Sequence, residues 1–355
     1  MYLMMFIVLI AFFSLVGLLV LHEWGHFIVA KKFGVEVEEF GLGYPPRLFG
    51  KKKGGTLYSL NLLPFGAFVR ISEKKLREKP IWQRVLILLG GIVSFWVVSF
   101  ILITIVFWLG VSFQVSDEED GHLINPQVQI VAVLPDSPAE QAGLKAGDII
   151  KNLRSLRSEI KNIDKIKQIQ DFTKEHKGEE ISLTIQRNEE IFEVNLIPRV
   201  SPSQDRGALG VALIRLATKK YSLAGAFFQG FLTTFKLTGQ IVLAFGQMAK
   251  KLIAREPVGG ELVGPVGIFD IFVKAGNLGV VYFLQTVALI SLHIAVVNAL
   301  PFPVADGGKL LFLGLEKIRK KPLNEKTEER INVIFFAILL ALMLWVTIKD
   351  VNRLF

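Results

Sequence analysis

The chain has 355 residues, of which 51% are hydrophobic, and its mean hydropathy is +0.46, which excludes an ordinary soluble protein. The net charge of +9 comes from Lys and Arg placed beside apolar runs, a pattern that favours orientation in a membrane over nucleic-acid binding. The absence of cysteine excludes disulfides and thiolate sites, so the composition predicts a mainly α polytopic membrane protein with room for one soluble domain.

Residues 1–30 carry no charge outside one motif, and this apolar run predicts the first transmembrane helix. The run lacks the basic region and cleavage site of a signal peptide, so we expect it to be retained. It contains the motif His22-Glu23-Trp24-Gly25-His26. Residues four apart share a helix face, so His22 and His26 can offer two imidazoles to one metal ion. Glu23 can then take a proton from a water molecule that the metal acidifies.

The position of this motif favours a functional site over a chance match. Histidine and glutamate are costly within a membrane span, so they are functional by default. Lys31 and Lys32 follow the run and place its end on the cytoplasmic side. At about 1.5 Å per residue, His22 and His26 lie about 13 Å and 7 Å beneath Lys31. We therefore expect a metal site inside the bilayer near its cytoplasmic face.

Residues 31–80 are predicted to be a basic cytoplasmic loop that contains a small membrane-associated β-sheet. The segments Val35–Phe40, Thr56–Leu63 and Ala67–Ile71 have the composition of short strands, and glycine and proline turns separate them. A sheet edge beside the metal site could pair with an extended peptide as one more strand. The alternative is a plain surface hairpin.

Residues 81–113 predict the second span, because Val85–Phe113 is uncharged and long enough to cross. Residues 114–220 are soluble in character and predict an inserted α+β domain. The elements expected in this domain are a short helix between two strands within Ser137–Ile150, a second helix at Ile163–His176, and a hairpin of Ile181–Gln186 with Ile191–Ile197.

Residues 221–276 predict an amphipathic segment. Its first part, Leu223–Ile253, is apolar at helical spacing but is interrupted by polar side chains, namely Gln229, Lys236, Gln240 and Gln247. Such a helix could span a membrane or lie in its interface.

Residues 277–308 predict the third span, which is followed by an irregular turn. Pro301 and Pro303 prevent a regular helix and leave backbone groups unpaired where the span ends, which is tolerated only in a cavity. Asn298 precedes this turn and Asp306 follows it. Asp306 supplies the oxygen ligand that the two histidines lack.

A basic cytoplasmic loop, residues 309–330, and a fourth span, residues 331–349, complete the chain. The two histidines are reached from outside to inside, and Asp306 must arrive at the same face to share their metal ion. If Leu223–Ile253 also crossed, Asp306 would emerge a bilayer away from the histidines. We therefore expect four crossings, with Leu223–Ile253 along the outer interface or dipping into the membrane and returning.

The combined motifs resemble the site-2 protease family. They are the His-Glu-x-x-His motif of the first span, the Asn298…Asp306-Gly307 segment of the third, and a domain between them with the pattern Ser137-Pro138-Ala139…Ala142-Gly143-Leu144…Gly147-Asp148. That domain resembles a circularly permuted PDZ domain, with Gly207-Ala208-Leu209-Gly210-Val211 as its peptide-carboxylate loop. Two departures are that Ala305 replaces the usual Leu, and that Gly90-Gly91 lacks the Pro and Asn of many relatives.

The resemblance implies that His22, His26 and Asp306 hold one zinc ion per chain and that Glu23 is the general base. It implies substrate contacts at Asn298, Pro301 and Pro303, and a peptide C-terminus bound at Gly207, Leu209 and Gly210. The membrane would be the bacterial inner (cytoplasmic) membrane, with the PDZ domain extracytoplasmic and no nucleic-acid partner.

The implied function is intramembrane zinc proteolysis of single-span membrane proteins, such as anti-sigma factors or remnant signal peptides, in regulated intramembrane proteolysis. One alternative is a membrane zincin whose third ligand is Glu36, Glu38 or Glu39, although these lie beyond the cytoplasmic exit of the span. Another is a non-catalytic PDZ scaffold that retains a zinc site. Glu23 argues against the scaffold, because a structural zinc site needs no base.

Overall fold

Long apolar stretches of the sequence form helices, as their composition predicts. The computed structural model describes residues 2–119, 123–187, 190–200, 207–257, 263–321 and 324–354. The helices are α1 (Tyr2–Lys32), α2 (Glu73–Arg77), α3 (Ile81–Leu109), α4 (Pro138–Gln141), α5 (Ile166–Glu175), α6 (Leu223–Ala254), α7 (Pro265–Asn277), α8 (Val280–Ala299), α9 (Asp306–Arg319) and α10 (Glu325–Leu354). The strands are β1 (Val37–Lys53), β2 (Thr56–Ile71), β3 (Val111–Gln114), β4 (Ile124–Val133), β5 (Ile149–Arg154), β6 (Glu159–Ile160), β7 (Ile181–Arg187), β8 (Glu190–Leu196) and β9 (Val211–Lys219).

The chain forms two compact units. The helical unit comprises residues 1–106 and 223–355, and the inserted unit comprises residues 107–222. Among the described residues, four helices are long and apolar enough to cross a membrane: Met5–Lys32, Ile81–Leu109, Val280–Ala299 and Lys326–Arg353. They correspond to the four predicted spans, and the protein is a helical membrane protein with some sheet.

One predicted span boundary was too long, and a second helix ends where two prolines follow it. Helix α3 ends at Leu109 rather than at residue 113, because Gly110 takes a φ of +113° and Val111–Gln114 then pairs with β9. Helix α8 ends at Ala299, where Leu300 adopts extended backbone ahead of Pro301 and Pro303, the two prolines that were predicted to prevent a regular helix there. In both places the sequence stays apolar while the chain leaves the helix.

Helices α3 and α8 are joined by side-chain hydrogen bonds to backbone carbonyls. The hydroxyl of Ser99 donates to the carbonyl of Ala288 at 2.9 Å, and the hydroxyl of Ser291 donates to the carbonyl of Phe95 at 2.8 Å. Ser99 and Ser291 are completely buried. Polar bonds of this kind hold helices together in lipid, where apolar side chains gain little by leaving the bilayer.

Strands β1 and β2 form a sheet in which one part of β1 pairs on both sides. Phe40 lies opposite Val69 and also opposite Tyr58, so the first part of β1 lies between the two ends of β2. Residues 67–71 of β2 therefore form an outer edge of the sheet. The three short predicted strands are part of these two longer, bent strands, which have irregular register.

Helix α6 is one continuous helix, so Leu223–Ile253 does not dip and return within itself, contrary to one of the two forms we predicted. Its phenylalanines pack against α3, where Trp96 contacts Phe231 and Phe235 edge to face. The indole N–H of Trp96 also donates to the hydroxyl of Thr238 at 3.2 Å. Interior glycines are tolerated here because these packed contacts replace intrinsic helix propensity.

The Gly264-Pro265-Val266-Gly267 sequence begins α7 and binds the distant helix α10. The buried carboxylate of Asp350 accepts hydrogen bonds from the backbone N–H groups of Gly264 and Gly267, at 2.9 and 2.8 Å. An acidic side chain from another helix therefore caps the N-terminus of α7.

The inserted unit contains a sheet of strand order β3-β9-β4-β5-β7-β8, with β6 paired to β5. Its apolar core lies between this sheet and α5, where Ile169 and Phe172 are buried against Ile150 and Leu183. The short helix α4, the helix α5 and the β7–β8 hairpin follow the predicted pattern, although Asn188 and Glu189 of the hairpin turn lie outside the described residues.

An ion pair with a buried carboxylate joins the residue before β5 to the end of β7. The fully buried carboxylate of Asp148 accepts from Arg187 Nε at 2.7 Å, from Arg187 Nη2 at 2.8 Å and from the backbone N–H of Lys145 at 2.8 Å. Burial acts to raise the pKa of Asp148, but the hydrogen bonds and charge of Arg187 outweigh it and hold the pKa below its ordinary value of 3.8.

We expect Asp148→Asn to destabilise the inserted unit by about 1–3 kcal/mol at pH 7, because it removes charge-assisted hydrogen bonds. Since the folded-state pKa is lowered, this stabilisation is full above about pH 4 and is lost as the pH falls through the folded-state value. Hydrogen exchange of the full-length protein between pH 3 and 7 measures it. Asp171→Asn, at an exposed position of α5, is the control. A difference from wild type that does not shrink in acid would contradict this assignment.

Candidate metal centre

The metal centre begins with a close backbone approach between α1 and α3. A Cβ added at Gly25 would overlap the carbonyl of Gly90, and one added at Gly90 would lie 2.7 Å from the carbonyl of Gly25. Only glycine allows the two helices to come this close. The contact lies beside His26 and fixes the motif against α3.

Gly91, one residue further along α3, makes room for the two imidazoles. A Cβ at this position would overlap Nε2 of His26 and would lie 2.6 Å from Cε1 of His22. We predicted no role for the Gly90-Gly91 stretch. The signal that could have revealed one is a pair of glycines, with no side chain to pack, in the middle of an otherwise bulky apolar span.

The structure brings His22, His26 and Asp306 together. Nε2 of His22 lies 3.3 Å from Nε2 of His26, and Oδ2 of Asp306 lies 3.4 and 3.2 Å from these two nitrogens. Among the described residues, this is the one group of three or more His, Asp or Glu side chains arranged to hold a metal ion. Oδ2 of Asp306 is buried without a hydrogen-bond donor.

These distances fit zinc. In a tetrahedral site with zinc–ligand bonds of about 2.0–2.1 Å, two ligand atoms lie about 3.3–3.4 Å apart. The three measured edges, 3.2 to 3.4 Å, describe one face of such a tetrahedron. A fourth position remains for water or substrate, as in catalytic rather than structural zinc sites.

Helix α3 also orients the imidazoles. Nδ1 of His26 lies 2.8 Å from the carbonyl of Ile87, and because a carbonyl only accepts, Nδ1 carries the proton. Nε2 is thereby left as the free lone pair that a metal requires. The ring of His22 stacks on Phe95, with centroids 4.7 Å apart, which restricts its rotation.

Asp306 is placed by a tight turn between α8 and α9. A Cβ at Gly307 would overlap the carbonyl of Leu300, and one at Gly308 would overlap the carbonyl of Phe302. The two glycines therefore let the start of α9 fold directly onto the residues that leave α8. Asp306, the first residue of α9, is buried as a result.

A buried ion pair holds α9 to α3. Nη1 of Arg84 donates to Oε1 of Glu316 at 2.8 Å, and the two side chains are only 14% and 19% exposed. Arg84, Ile87 and Gly91 follow each other at helical spacing on α3. One stripe of α3 thus contacts the histidine helix and also the helix that begins with Asp306.

Glu23 extends from the metal centre to the sheet. Its Oε2 accepts a hydrogen bond from the backbone N–H of Val69 on β2 at 3.0 Å. The adjacent residue in the motif is the His22 ligand candidate, so the carboxylate lies between the metal centre and the sheet edge. The sequence did not predict this bond, because it depends on how the sheet folds back on α1.

A cavity of about 540 Å³ is lined by His22, His26, Asp306 and Glu23. It is also lined by the sheet-edge residues Phe68, Val69, Arg70 and Ile71, and by Asn298, Val304, Lys309 and Glu316. Asn298 was predicted to contact substrate; it lies at this cavity and its amide donates to the carbonyl of Ile294 at 3.1 Å. Pro301 and Pro303, predicted as substrate contacts, are not part of the lining that the structure describes.

The alternative glutamate ligands lie elsewhere. Glu36 and Glu38 are exposed, and Glu39 is buried within the sheet. The carboxylate of Glu39 accepts from the Ser59 hydroxyl at 2.7 Å and from Arg47 at 2.8 Å. Burial acts to raise the pKa of Glu39, but these bonds lower it below its ordinary value of 4.5. Glu39 is thus an anchor of the sheet, not a metal ligand.

The predicted carboxylate loop belongs to the inserted unit. Gly207 is exposed with a φ of +56°, and Gly210 has a φ of +77° and lies so close to Ser137 that a Cβ would overlap it. Leu209 is only 4% exposed and forms part of the domain core. Residues 201–206 before the loop lie outside the described residues.

Comparison with known proteins agrees with this geometry. The sequence profile of peptidase family M50 matches residues 10–342. The chain belongs to peptidase family M50. A protein of Clostridium perfringens named as a zinc metalloprotease is 31% identical, and the alignment covers 97% of this chain and 98% of that protein. The regulator of sigma-W protease RasP of Bacillus subtilis is 24% identical, with 98% of each chain covered.

Membership of the M50 family makes this protein a site-2-type zinc metalloprotease, which acts on membrane-embedded substrates. It is a bacterial membrane protein with zinc as its cofactor. When bound, zinc supplies Lewis acidity toward a peptide carbonyl and makes water more acidic.

We expect Gly91→Ala in this M50 protease to lower zinc affinity at least tenfold, because the added methyl overlaps both imidazoles. Zinc content after dialysis against graded chelator measures the effect. Gly17→Ala is the matched control, since a Cβ at this position of α1 meets nothing within 4 Å. Equal zinc retention by both variants would show that α3 does not confine the imidazoles.

We expect Glu23→Gln to abolish cleavage while zinc stays near one per chain, because the sequence predicts that Glu23 acts as a base and not as a ligand. Asp306→Ala should lose both zinc and activity, whereas Glu36→Ala and Glu38→Ala should keep both. Metal analysis and peptide cleavage on the same preparations test these roles. Loss of zinc from the Glu23 variant, or its retention by the Asp306 variant, would overturn the assignment.

Proposed function

We propose that this protein is an intramembrane endopeptidase that cleaves the transmembrane segments of single-span membrane proteins in regulated intramembrane proteolysis. The observation that carries the proposal is the zinc-sized triangle of His22, His26 and Asp306 with Glu23 beside it. The two histidines and Glu23 lie on a helix of membrane-spanning composition, and Asp306 follows shortly after another. Anti-sigma factors and remnant signal peptides are the substrate classes, and the name of the Bacillus subtilis relative refers to a sigma factor.

His22, His26 and Asp306 hold the zinc ion in this proposal, and Glu23 receives the proton that water loses. The amide of Asn298 lies at the cavity and positions the substrate backbone or the developing oxyanion. A non-catalytic scaffold has no use for Glu23, so the Glu23→Gln variant also discriminates between the two functions.

The substrate must be extended before it is cut, because a helix keeps its carbonyls hydrogen-bonded and shielded. Residues 67–71 of β2 supply the support for this. They form an outer edge of the sheet. Residues 68–71 also line the same cavity as His22, His26 and Asp306. A substrate segment that pairs with this edge becomes one more strand, and its backbone is held in register beside the zinc ligands.

The membrane is the bacterial inner membrane in this proposal, with the metal centre near the cytoplasmic side and the inserted unit extracytoplasmic. Lys31 and Lys32 at the end of α1 support the orientation, and so do the lysines and arginines of residues 309–330. Helix α6 does not cross the membrane in this proposal, since it is not among the four described helices that are long and apolar enough to cross.

The topology can be tested directly, because the chain contains no cysteine. Single cysteines at Tyr221 and Pro257 should both react with an impermeant maleimide added from the outside of intact cells. A cysteine at Lys320, in the basic loop after α9, should react only after the membrane is made permeable. Opposite-sided labelling at Tyr221 and Pro257 would mean that α6 crosses the membrane and would refute the four-crossing topology.

The inserted unit restricts substrates in this proposal. It resembles a PDZ domain in its Ser137–Asp148 pattern, and the Gly207–Val211 loop is the candidate site for a peptide C-terminus. In this proposal the inserted unit, which follows α3 in the chain, obstructs substrates whose own outer domains are bulky. Substrates that another protease has already trimmed would pass.

Purified protein incubated with single-span substrates, with and without chelator, tests the activity, and the Glu23→Gln variant is the inactive control. A second variant replaces Val111–Lys219 by a short glycine-serine linker, which is feasible because Val111 pairs with Lys219. The intact enzyme should cleave trimmed substrate at least tenfold faster than untrimmed substrate, and the shortened enzyme should cleave both alike. Equal cleavage of both substrates by both enzymes would refute the size-restricting role while leaving the activity intact.

A further inference from the structure

The hydrogen bond between Glu23 and Val69 joins the general base to the edge at which substrate is expected to bind. Oε2 of Glu23 accepts from the Val69 N–H at 3.0 Å, and both residues are half-buried. They are separated by 46 positions in sequence. A single backbone donor of the sheet therefore fixes the direction of the catalytic carboxylate.

The alternation of the strand shows that this donor points out of the sheet. The N–H of Ser72 donates to the carbonyl of Glu36 at 3.0 Å, so N–H groups of even-numbered residues here point toward β1. Successive residues of a strand point their N–H groups to opposite sides. The N–H groups of Ala67, Val69 and Ile71 therefore point away from β1.

An added strand would use these same outward groups. In the part of the chain that the structure describes, no strand pairs with residues 67–71 on their outer side. The metal-centre cavity lies there, and Val69 lines it together with Glu23. Val69 is the middle donor of the three, and it is the one next to the metal centre.

We propose that Glu23 and the incoming substrate strand compete for the N–H of Val69. Before substrate binds, Val69 holds the carboxylate at the sheet edge. When the substrate pairs with residues 67–71, a substrate carbonyl takes over this donor and Glu23 turns toward the metal centre. The inference rests on the strand pairing of the proposed function and adds that pairing itself releases the base.

This exchange replaces one hydrogen bond by another, so it costs little free energy. It links two requirements of the reaction: the peptide is extended and in register, and the base is free to accept a proton. Until a substrate strand is in place, Glu23 is held by Val69 and is not turned toward water near the metal centre.

Kinetics of the full-length enzyme on a single-span substrate separate this exchange from a fixed positioning role. Val69→Pro removes the donor together with the valine side chain, at an edge position where proline is tolerated, and Ile71→Pro removes an outward donor that Glu23 does not use. Val69→Ala keeps the N–H and is the control for side-chain loss.

We expect Ile71→Pro to raise KM about 3- to 10-fold with kcat unchanged, because substrate loses one strand hydrogen bond. Val69→Pro should raise KM less than Ile71→Pro does, because its donor is occupied both before and after binding. Its kcat should stay within about twofold of wild type. A fall of kcat in Val69→Pro to a tenth or less of the kcat of Val69→Ala would show that the Val69 N–H holds Glu23 during catalysis and would overturn the proposal.

Amide NMR of the zinc-loaded enzyme labelled with ¹⁵N-valine and ¹⁵N-isoleucine gives a readout that does not require activity. Signals of Val69 and Ile71 are assigned from alanine variants, and the probe is an extended leucine-alanine hexapeptide hydroxamate. Glu23→Ala should shift the Val69 signal in the free enzyme, and this difference should vanish when the probe is bound.

The same spectra distinguish the two failures. If the probe leaves the Ile71 signal unmoved, strand pairing is wrong, and the competition fails along with that part of the proposed function. If the Ile71 signal moves but the Val69 signal still responds to Glu23→Ala in the complex, pairing stands and the competition is refuted.

Discussion

The contact between the backbones of Gly25 and Gly90 is the constraint on which the metal centre depends. It sets the distance between α1 and α3, and only at that distance can Gly91 receive the edges of the two imidazoles. The carbonyl of Ile87 then reaches Nδ1 of His26. A single side-chain carbon between the helices would separate all these groups at once, because packed helices move as rigid bodies.

Helix α3 acts as the common support for elements that are distant in sequence. It contacts the histidine motif, it is bonded to α8 through Ser99 and Ser291, and through Arg84 it holds Glu316 of α9. In lipid there is no hydrophobic drive between helices, so close backbone contact and buried polar bonds provide the association. Both kinds of contact are found around the metal centre. Helix α10, by contrast, is mostly exposed and is held by the hydrogen bonds of Asp350.

The sequence was most informative where residues able to bind a metal stand in apolar runs, in which ionisable side chains are energetically unfavourable. A histidine pair and an acid in an apolar run, and an aspartate after two prolines in another, pointed to one metal centre because each is expensive in a membrane without a partner. The requirement that Asp306 reach the histidines also predicted four crossings. The structure brings these side chains together, with distances that match zinc.

Other features depended on contacts that no local pattern records. Residues 111–113 were predicted to continue a span because they carry no charge, yet they pair with a strand about a hundred residues later. Gly91 was not assigned a role because its importance lies in what its absent side chain would touch. The bond from Val69 to Glu23 depends on which side of β2 the Val69 N–H points to. In a bent strand with irregular register, each bulge can change that side.

The pairing of Val111 with Lys219 brings the two ends of the inserted unit side by side. Because its first and last strands are paired, the inserted unit is a separable module. It can be removed, duplicated or exchanged in evolution without altering the distance between the end of α3 and the start of α6. None of the metal-centre residues lies within it. The proteolytic helices and the module between them are therefore free to diverge at different rates.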